Sequence, residues 1–238
     1  RSTRTQPVRQ AAPRRAAAPV APRPVEAPQV GQPGNSYTSR TASSPKQTAP
    51  LIDTPQTVTV VPQAVIREQG ARNLTEVLRN TPGISFDAGE NGFSTSTNNF
   101  KLRGFDSSGN VFFDGARDSG SYTRDVFNVE RVEVFKGATA DNGRGGAGGY
   151  VNLVSKVPWL QNVGFAEVSL GFDEHGSRLQ KRATADLNYV VTPTTAVRLN
   201  AMVEDSGIPG RDLALNRPWA VAPSVAFGLG TDLRVYLS

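Results

Sequence analysis

Cysteine is absent from this 238-residue chain, and histidine occurs once, at His175. Without a thiol there is no disulfide, no redox centre of the Cys type and no zinc site built from Cys and His. A Ser-His-Asp arrangement would have to use His175, which sits in DEHGS between two alternating segments, the setting of a strand-connecting turn. No apolar run approaches the roughly twenty residues that a transmembrane helix needs. There is neither an initiator Met nor a signal-type apolar core at the start, and the end, TDLRVYLS, stops inside an alternating segment. The expectation is a piece of something longer.

Charge is scarce where the apolar residues are dense. The net charge is +5, yet residues 1–50 hold eight Arg or Lys against one acid, Glu26, while the remainder holds 18 basic and 20 acidic side chains. The basicity therefore belongs to the first 50 residues and is spread over isolated arginines, so no nucleic-acid face is expected. That same stretch carries nine of the 17 prolines among Ala, Arg, Gln, Ser and Thr. It has too little apolar surface to offset the entropy of ordering, and its Ala-Pro and Arg-Pro repeats favour extended polyproline II. Residues 1–50 read as a disordered, extended tether.

From Leu51 the texture changes. TVTVV (57–61) is a β-branched strand, and VPQAVIREQG reads as a short helix closed by Gly70. Asn73 and Glu76 have the spacing of a capping box, and Leu74, Val77 and Leu78 form the apolar stripe of a second helix ended by Pro82-Gly83. ISF (84–86), FKLRGF (100–105), VFFDG (111–115) and NVERVEVFKG (128–137) read as strands. Between them lie long hydrophilic loops, AGENGFSTSTNN and ARDSGSYTRD, where recognition tends to reside.

After Pro158 the period becomes two. Five segments of eight to eleven residues present an apolar face, such as Val197, Leu199, Ala201 and Val203, against a face with Arg198, Asn200, Met202 and Glu204. VTPTT (191–195) is a tight turn between two of them, and Pro223 interrupts the fourth. A soluble sandwich also alternates, so the residues alone leave both architectures open. Segment length and a wet, charged second face favour membrane-spanning strands, although five strands cannot close a wide barrel.

The glycine cluster GRGGAGG (143–149) contains G-x-G-x-x-G after a probable strand, RVEVF, with Glu167 about twenty residues on. A dinucleotide site would then require a helix, whose N-terminus carries the pyrophosphate. The next residues are YVNLVSKVP, a β-type run. The glycines are read instead as backbone geometry for a tight chain crossing.

Taken in order, TPQTVTVVP (54–62), LTEVLRNTPGI (74–84), FKLRGF, FDGARDSGSYTRDVFNVERVEVFKGA (113–138) and NGRGGAGGYVNLVSK (142–156) resemble the plug domain of TonB-dependent outer-membrane receptors, in particular the siderophore-receptor branch. RDSGSYTRD with the glycine cluster looks most like receptors for catecholate-type iron chelates. The resemblance implies an α+β plug over 51–158, with a small mixed sheet and short helices. The first strands of an antiparallel transmembrane β-barrel, 22-stranded in the family, would come next, over 159–238. It implies a monomeric transporter and not an enzyme, in the outer membrane of a Gram-negative bacterium with its lipid as surroundings and its tether in the periplasm. A ferric siderophore is the implied ligand, bringing its own iron, so no cofactor is implied. A TonB-type periplasmic protein is the implied energising partner, which in the family captures a short box by strand addition; no such box is identified in residues 1–50. A secreted β-rich adhesion module, or the same fold carrying haem or cobalamin, are the alternatives.

By matching position, the resemblance places ligand contacts on the outward loops at Gly109, Asn110, Arg117, Tyr122, Arg124 and Asn91. Guanidinium groups pair and stack with anionic aromatic chelates, and Tyr adds a ring and a hydroxyl. Arg103, Glu130, Arg131, Glu133 and Arg144 are expected to pair within the plug or with the barrel wall.

Overall fold

The computed structural model describes residues 37–44, 47, 49–86, 99–120, 122–138, 146–172, 179–208 and 211–238. Among the described residues no helix is long and apolar enough to cross a membrane. The expected strand and two helices are present: β1 (Thr57–Pro62), α1 (Gln63–Glu68) and α2 (Leu74–Leu78). Asn73 caps α2 by accepting from the Glu76 amide at 3.0 Å, and Glu76 reaches back to the Arg72 amide at 2.7 Å. A five-residue helix has no stability of its own. It persists because Leu74, Val77 and Leu78 are buried, each contributing about 1.5–3 kcal/mol of apolar burial.

Eight short strands complete this half, seven of them between residues 84 and 155: β2 (Ile84–Phe86), β3 (Phe100–Leu102), β4 (Phe105–Asp106), β5 (Val111–Phe113), β6 (Ala116–Arg117), β7 (Val129–Lys136) and β8 (Gly149–Ser155), with β1 before them. A five-stranded sheet runs β1-β7-β8-β5-β6, parallel only at β5–β8, and β2-β3-β4 form a second small sheet. FKLRGF, expected as one strand, is a hairpin instead. Arg103 and Gly104 have φ of 54° and 84°, so the chain reverses and Leu102 faces Phe105. Asp114 and Gly115 repeat the device at 49° and 81° between β5 and β6. Two consecutive positive φ values are the geometry of a primed two-residue hairpin turn.

β7 carries a bulge. Its register against β8 shifts between Val129 and Arg131, leaving Glu130 as the extra residue. Val129, Val132 and Val134 therefore all reach the core with Leu74, Leu78, Phe100, Leu102, Val151 and Leu153, while Glu130 is turned out of the alternation. The glycine cluster is succeeded by strand β8 and not by a helix. A Cβ on Gly149 (φ 119°) would run into the Phe135 carbonyl oxygen, and one on Gly148 into that of Leu102. Both glycines permit a close backbone crossing; residues 143–145 of the cluster lie outside the described residues. On the opposite face of the sheet, Ala42 packs with Phe112, Phe135 and Tyr150. Ser43 donates to the fully buried Glu133 through its amide (2.8 Å) and hydroxyl (2.6 Å). A described part of the expected tether thus lies against the sheet.

A separate antiparallel wall comprises β9 (Val163–Gly171), β10 (Gln180–Thr192), β11 (Thr195–Ile208), β13 (Trp219–Phe227) and β14 (Val235–Leu237), in spatial order β14-β13-β11-β10-β9. A sixth strand not expected from the sequence, β12 (Arg211–Asn216), pairs with β11. Pro223 is accommodated opposite Leu199, because on its other side β13 meets β14 only at Val225–Phe227. Position 223 is an edge position on that side, where a missing N–H breaks no ladder bond.

Candidate functional site

The wall is inside out relative to a soluble sheet. Val168 (74% exposed), Trp219 (75%), Leu187, Tyr189, Leu199 and Val203 face outward, whereas Arg198 (1%), Asn200 (0%), Arg182 and Glu204 are buried. Cross-strand register keeps the two sets apart. Outward pairs are Leu187↔Leu199, Tyr189↔Val197, Ala201↔Val221 and Val203↔Trp219; inward ones are Arg182↔Glu204, Asn188↔Arg198 and Arg198↔Ser224. An exposed band this apolar is stable against hydrocarbon and not against water.

The buried polar face meets the N-terminal half in two ion clusters. In the first, the Arg198 guanidinium makes two 2.7 Å bonds to Asp186 and one of 2.9 Å to the Val157 carbonyl. It also lies over the Trp159 ring at 4.5 Å and pairs with Glu130 at 3.7 Å. Lys156 adds a 3.1 Å bond to Asp186. The bulge is what sends Glu130 there. Burial raises the Glu130 carboxyl above its ordinary value and outweighs the Arg198 and Lys156 charges. Burial likewise lowers the Lys156 ammonium despite Asp186. The chain passing between the halves is clamped by Asn188, whose amide donates to the Trp159 and Gln161 carbonyls and accepts from the Trp159 amide.

In the second cluster Arg182 bridges Asp125 (2.7 and 2.8 Å) and Glu204 (2.8 Å), and Arg72 reaches Gln180 at 3.0 Å. Between the clusters a cavity of about 170 Å³ separates α1 from β9 and β10, with Arg67 stacked over Phe165 at 4.2 Å. Of the residues expected to pair, Glu130 meets the wall, and Arg131 pairs with Glu133 at 2.8 Å inside the sheet. Arg103 donates to Thr57 at 3.2 Å. Arg144 lies outside the described residues.

The loop residues gather at the β5–β6 hairpin. Asp114, at its turn, accepts from the Ser155 amide at 2.8 Å and from the Ser155 hydroxyl, which ties the hairpin to β8. Arg117 donates to the Gly109 carbonyl at 3.1 Å and lies over Phe112. Asn110 is largely buried and fills the space above Gly146. Tyr122 is half exposed, with its hydroxyl on Asp118 at 2.6 Å. Arg124 is buried (4% exposed) and is spent on its own loop, at 2.8 Å to Asp118 and 2.7 Å to the Gly120 carbonyl. Burial alone would raise the Asp118 carboxyl, but the bonds from Arg124, Tyr122 and Gly120 hold it below its ordinary value. The same bond to Asp118, helped by burial, raises the Tyr122 phenol. Asn91 lies outside the described residues.

Sequence reasoning missed Asp118, Arg72, Asp125, Arg182, Lys156 and the Asn188 clamp. Arg198 and Glu204 were visible as members of a polar face, but which charge meets which depends on strand register.

Residues 50–150 match the TonB-dependent receptor plug domain. The catecholate siderophore receptor Fiu of Escherichia coli strain K12 is 46% identical over 204 residues, 85% of this chain and 26% of that protein. Residues 50–150 are accordingly a plug domain of the TonB-dependent receptor type, and over most of its length the chain is similar to such receptors. The crystal structure of Fiu in its open form superposes with a TM-score of 0.74 at 42% identity, covering 83% of this chain and 28% of that one. The pyoverdine outer membrane receptor FpvA of Pseudomonas aeruginosa gives 0.71 at 27% identity, covering 84% and 29%. The chain thus spans about a quarter of the length of these relatives. Its inner half is a plug, its wall is an unclosed part of a barrel, and the two ion clusters are plug–barrel contacts.

Proposed function

We propose that this chain is the plug and first barrel strands of a Gram-negative outer-membrane receptor that imports a ferric siderophore, with catecholate chelates favoured, as a monomer energised by a TonB-type periplasmic protein. The observation that carries the reading is the inverted wall. Its apolar face suits lipid, and its charged face is occupied by a plug that must loosen without unfolding. Polar contacts across a cavity can exchange for water, whereas an apolar core would have to be torn open. The names of the 46%-identical relative and of the superposed structures supply the substrate class. Iron enters as cargo inside the chelate. Arg117 and Tyr122 on the outward loop are the chelate contacts this reading favours.

The test is iron-restricted growth of a Gram-negative strain stripped of its own catecholate receptors and carrying the gene for this chain. Growth on ferric catecholates that disappears when the TonB protein is deleted is the expected result. Growth supported by haem or cobalamin instead, or unaffected by that deletion, would overturn the assignment.

A further inference from the structure

Asp118 is the hub of the outward loop, and its connections exceed what holding a turn requires. Its carboxylate accepts from the Tyr122 hydroxyl (2.6 Å), the Arg124 Nε (2.8 Å) and the Gly120 amide (3.0 Å). Its own amide donates to the Val111 carbonyl at 2.9 Å, anchoring the hub to β5. Arg124 is bound further to the Asp118 and Gly120 carbonyls, and its own carbonyl accepts from the Leu74 amide at the start of α2. The arrangement leaves the Arg124 guanidinium 4.6 Å from the Tyr122 ring centre, with the ring half exposed above it. Gly120 belongs to the same design. A Cβ there would meet Tyr122 Cδ1 at 2.8 Å and Asp118 Oδ1 at 3.2 Å, so the ring lies where only glycine leaves room.

On the reading that this loop faces the ferric chelate, we propose that Asp118 is a positioning residue that presets Tyr122 as an aromatic platform, backed by the buried Arg124, for the flat rings of a catecholate. Catecholate rings are electron-rich, and a cation behind the tyrosine face draws electron density from it, which favours offset stacking of an anionic ring on the open side. Presetting matters because a free Tyr and Arg would each have to be ordered on binding, at a cost in side-chain entropy. The roles then divide: Arg124 polarises and supports from below, and the exposed Arg117 meets the charge of the chelate.

The experiment titrates the detergent-solubilised receptor with ferric tris-catecholate, comparing wild type, Asp118→Asn, Tyr122→Leu, the double variant and Gly120→Ala. Asp118→Asn is expected to raise Kd about tenfold, from the ordering cost of two side chains. It should add nothing in the Tyr122→Leu background, because Asp118 acts through the ring. Gly120→Ala, which displaces the ring and keeps the carboxylate, should lose affinity to a similar extent and carries the test if Asp118→Asn folds poorly. Losses from Asp118→Asn and Tyr122→Leu that simply add, or a Kd unchanged in both Asp118→Asn and Gly120→Ala, overturn the positioning role and leave the transport reading intact. A wild-type receptor that fails to bind ferric tris-catecholate overturns that reading and the proposal together.

Discussion

Arg198→Met is the sharpest test of how the plug is held. Arg198 is fully buried and joins both halves of the molecule: two 2.7 Å bonds to Asp186, one of 2.9 Å to the Val157 carbonyl, and contacts with Glu130 and Trp159. Removing one partner of a buried ion pair costs about 3–5 kcal/mol, mostly because the remaining charge is stranded. Here Asp186 keeps Lys156 at 3.1 Å, which places that part near the lower end, about 3 kcal/mol. The lost donor to Val157 adds about 1 kcal/mol. Methionine retains a contact with the Trp159 ring, so the cation–π loss is partly offset. The expected destabilisation is about 4 kcal/mol, read from the denaturant midpoint of the detergent-solubilised protein by tryptophan fluorescence. It should be accompanied by faster hydrogen exchange of backbone amides across 157–161. Arg198→Met combined with Asp186→Leu removes both members of the tightest pair and leaves Lys156 and Glu130, whose charges attract each other, so its loss should be smaller than the sum of the two single losses. A single-variant loss below about 1 kcal/mol, or a double variant worse than the sum of its parts, would refute the reasoning.

Two other positions give further expected outcomes. Gly149→Ala combines a disfavoured φ with a Cβ directed into the Phe135 carbonyl; it should cost about 3 kcal/mol in the same denaturant assay, and a neutral result would show that the crossing is looser than described. Glu130 has a carboxyl raised above 4.5, chiefly by burial, so its contribution to stability is complete below that pH and is lost as pH rises through the raised value. Glu130→Gln should therefore be at least as stable as wild type at pH 7, with the difference fading toward pH 4, and a clear loss at pH 7 would mean that Arg198 outweighs burial after all.

The parts of the fold that depend on local chemistry were legible in the sequence. Asn73 and Glu76 marked a helix start, the TVTVV run marked β1, and strict alternation separated the two faces of the wall. FKLRGF was misread because a two-residue turn leaves the apolar and polar alternation of its flanks almost unbroken, and only the positive φ of Arg103 reveals the reversal. The spacing of Val129 and Val132 was a quieter signal. Three residues apart on one face of a strand requires a bulge, and that bulge is what sends Glu130 to the wall. The loop site was half legible. Arg117 and Tyr122 stand out by residue type, but Asp118 looks like any loop acid until the chain closes around it. The ion clusters were the least accessible, because pairing Arg182 with Asp125 joins residues 57 apart through a contact between the segment before β7 and the wall.

The inversion of the wall also governs how such a molecule can come into being. A sheet with an apolar outer face and a charged inner face gains nothing by collapsing in water, since either way of closing it leaves one face in the wrong medium. Its native arrangement has a driving force only where hydrocarbon lies on one side and a polar body on the other. The plug is therefore more than an obstruction in a lumen. For β10 and β11 it acts as a template, because Asp125 and Glu130 add partners from the plug to Arg182 and Arg198, which the wall pairs only with Glu204 and Asp186. Those two contacts form only where the plug is seated against the wall.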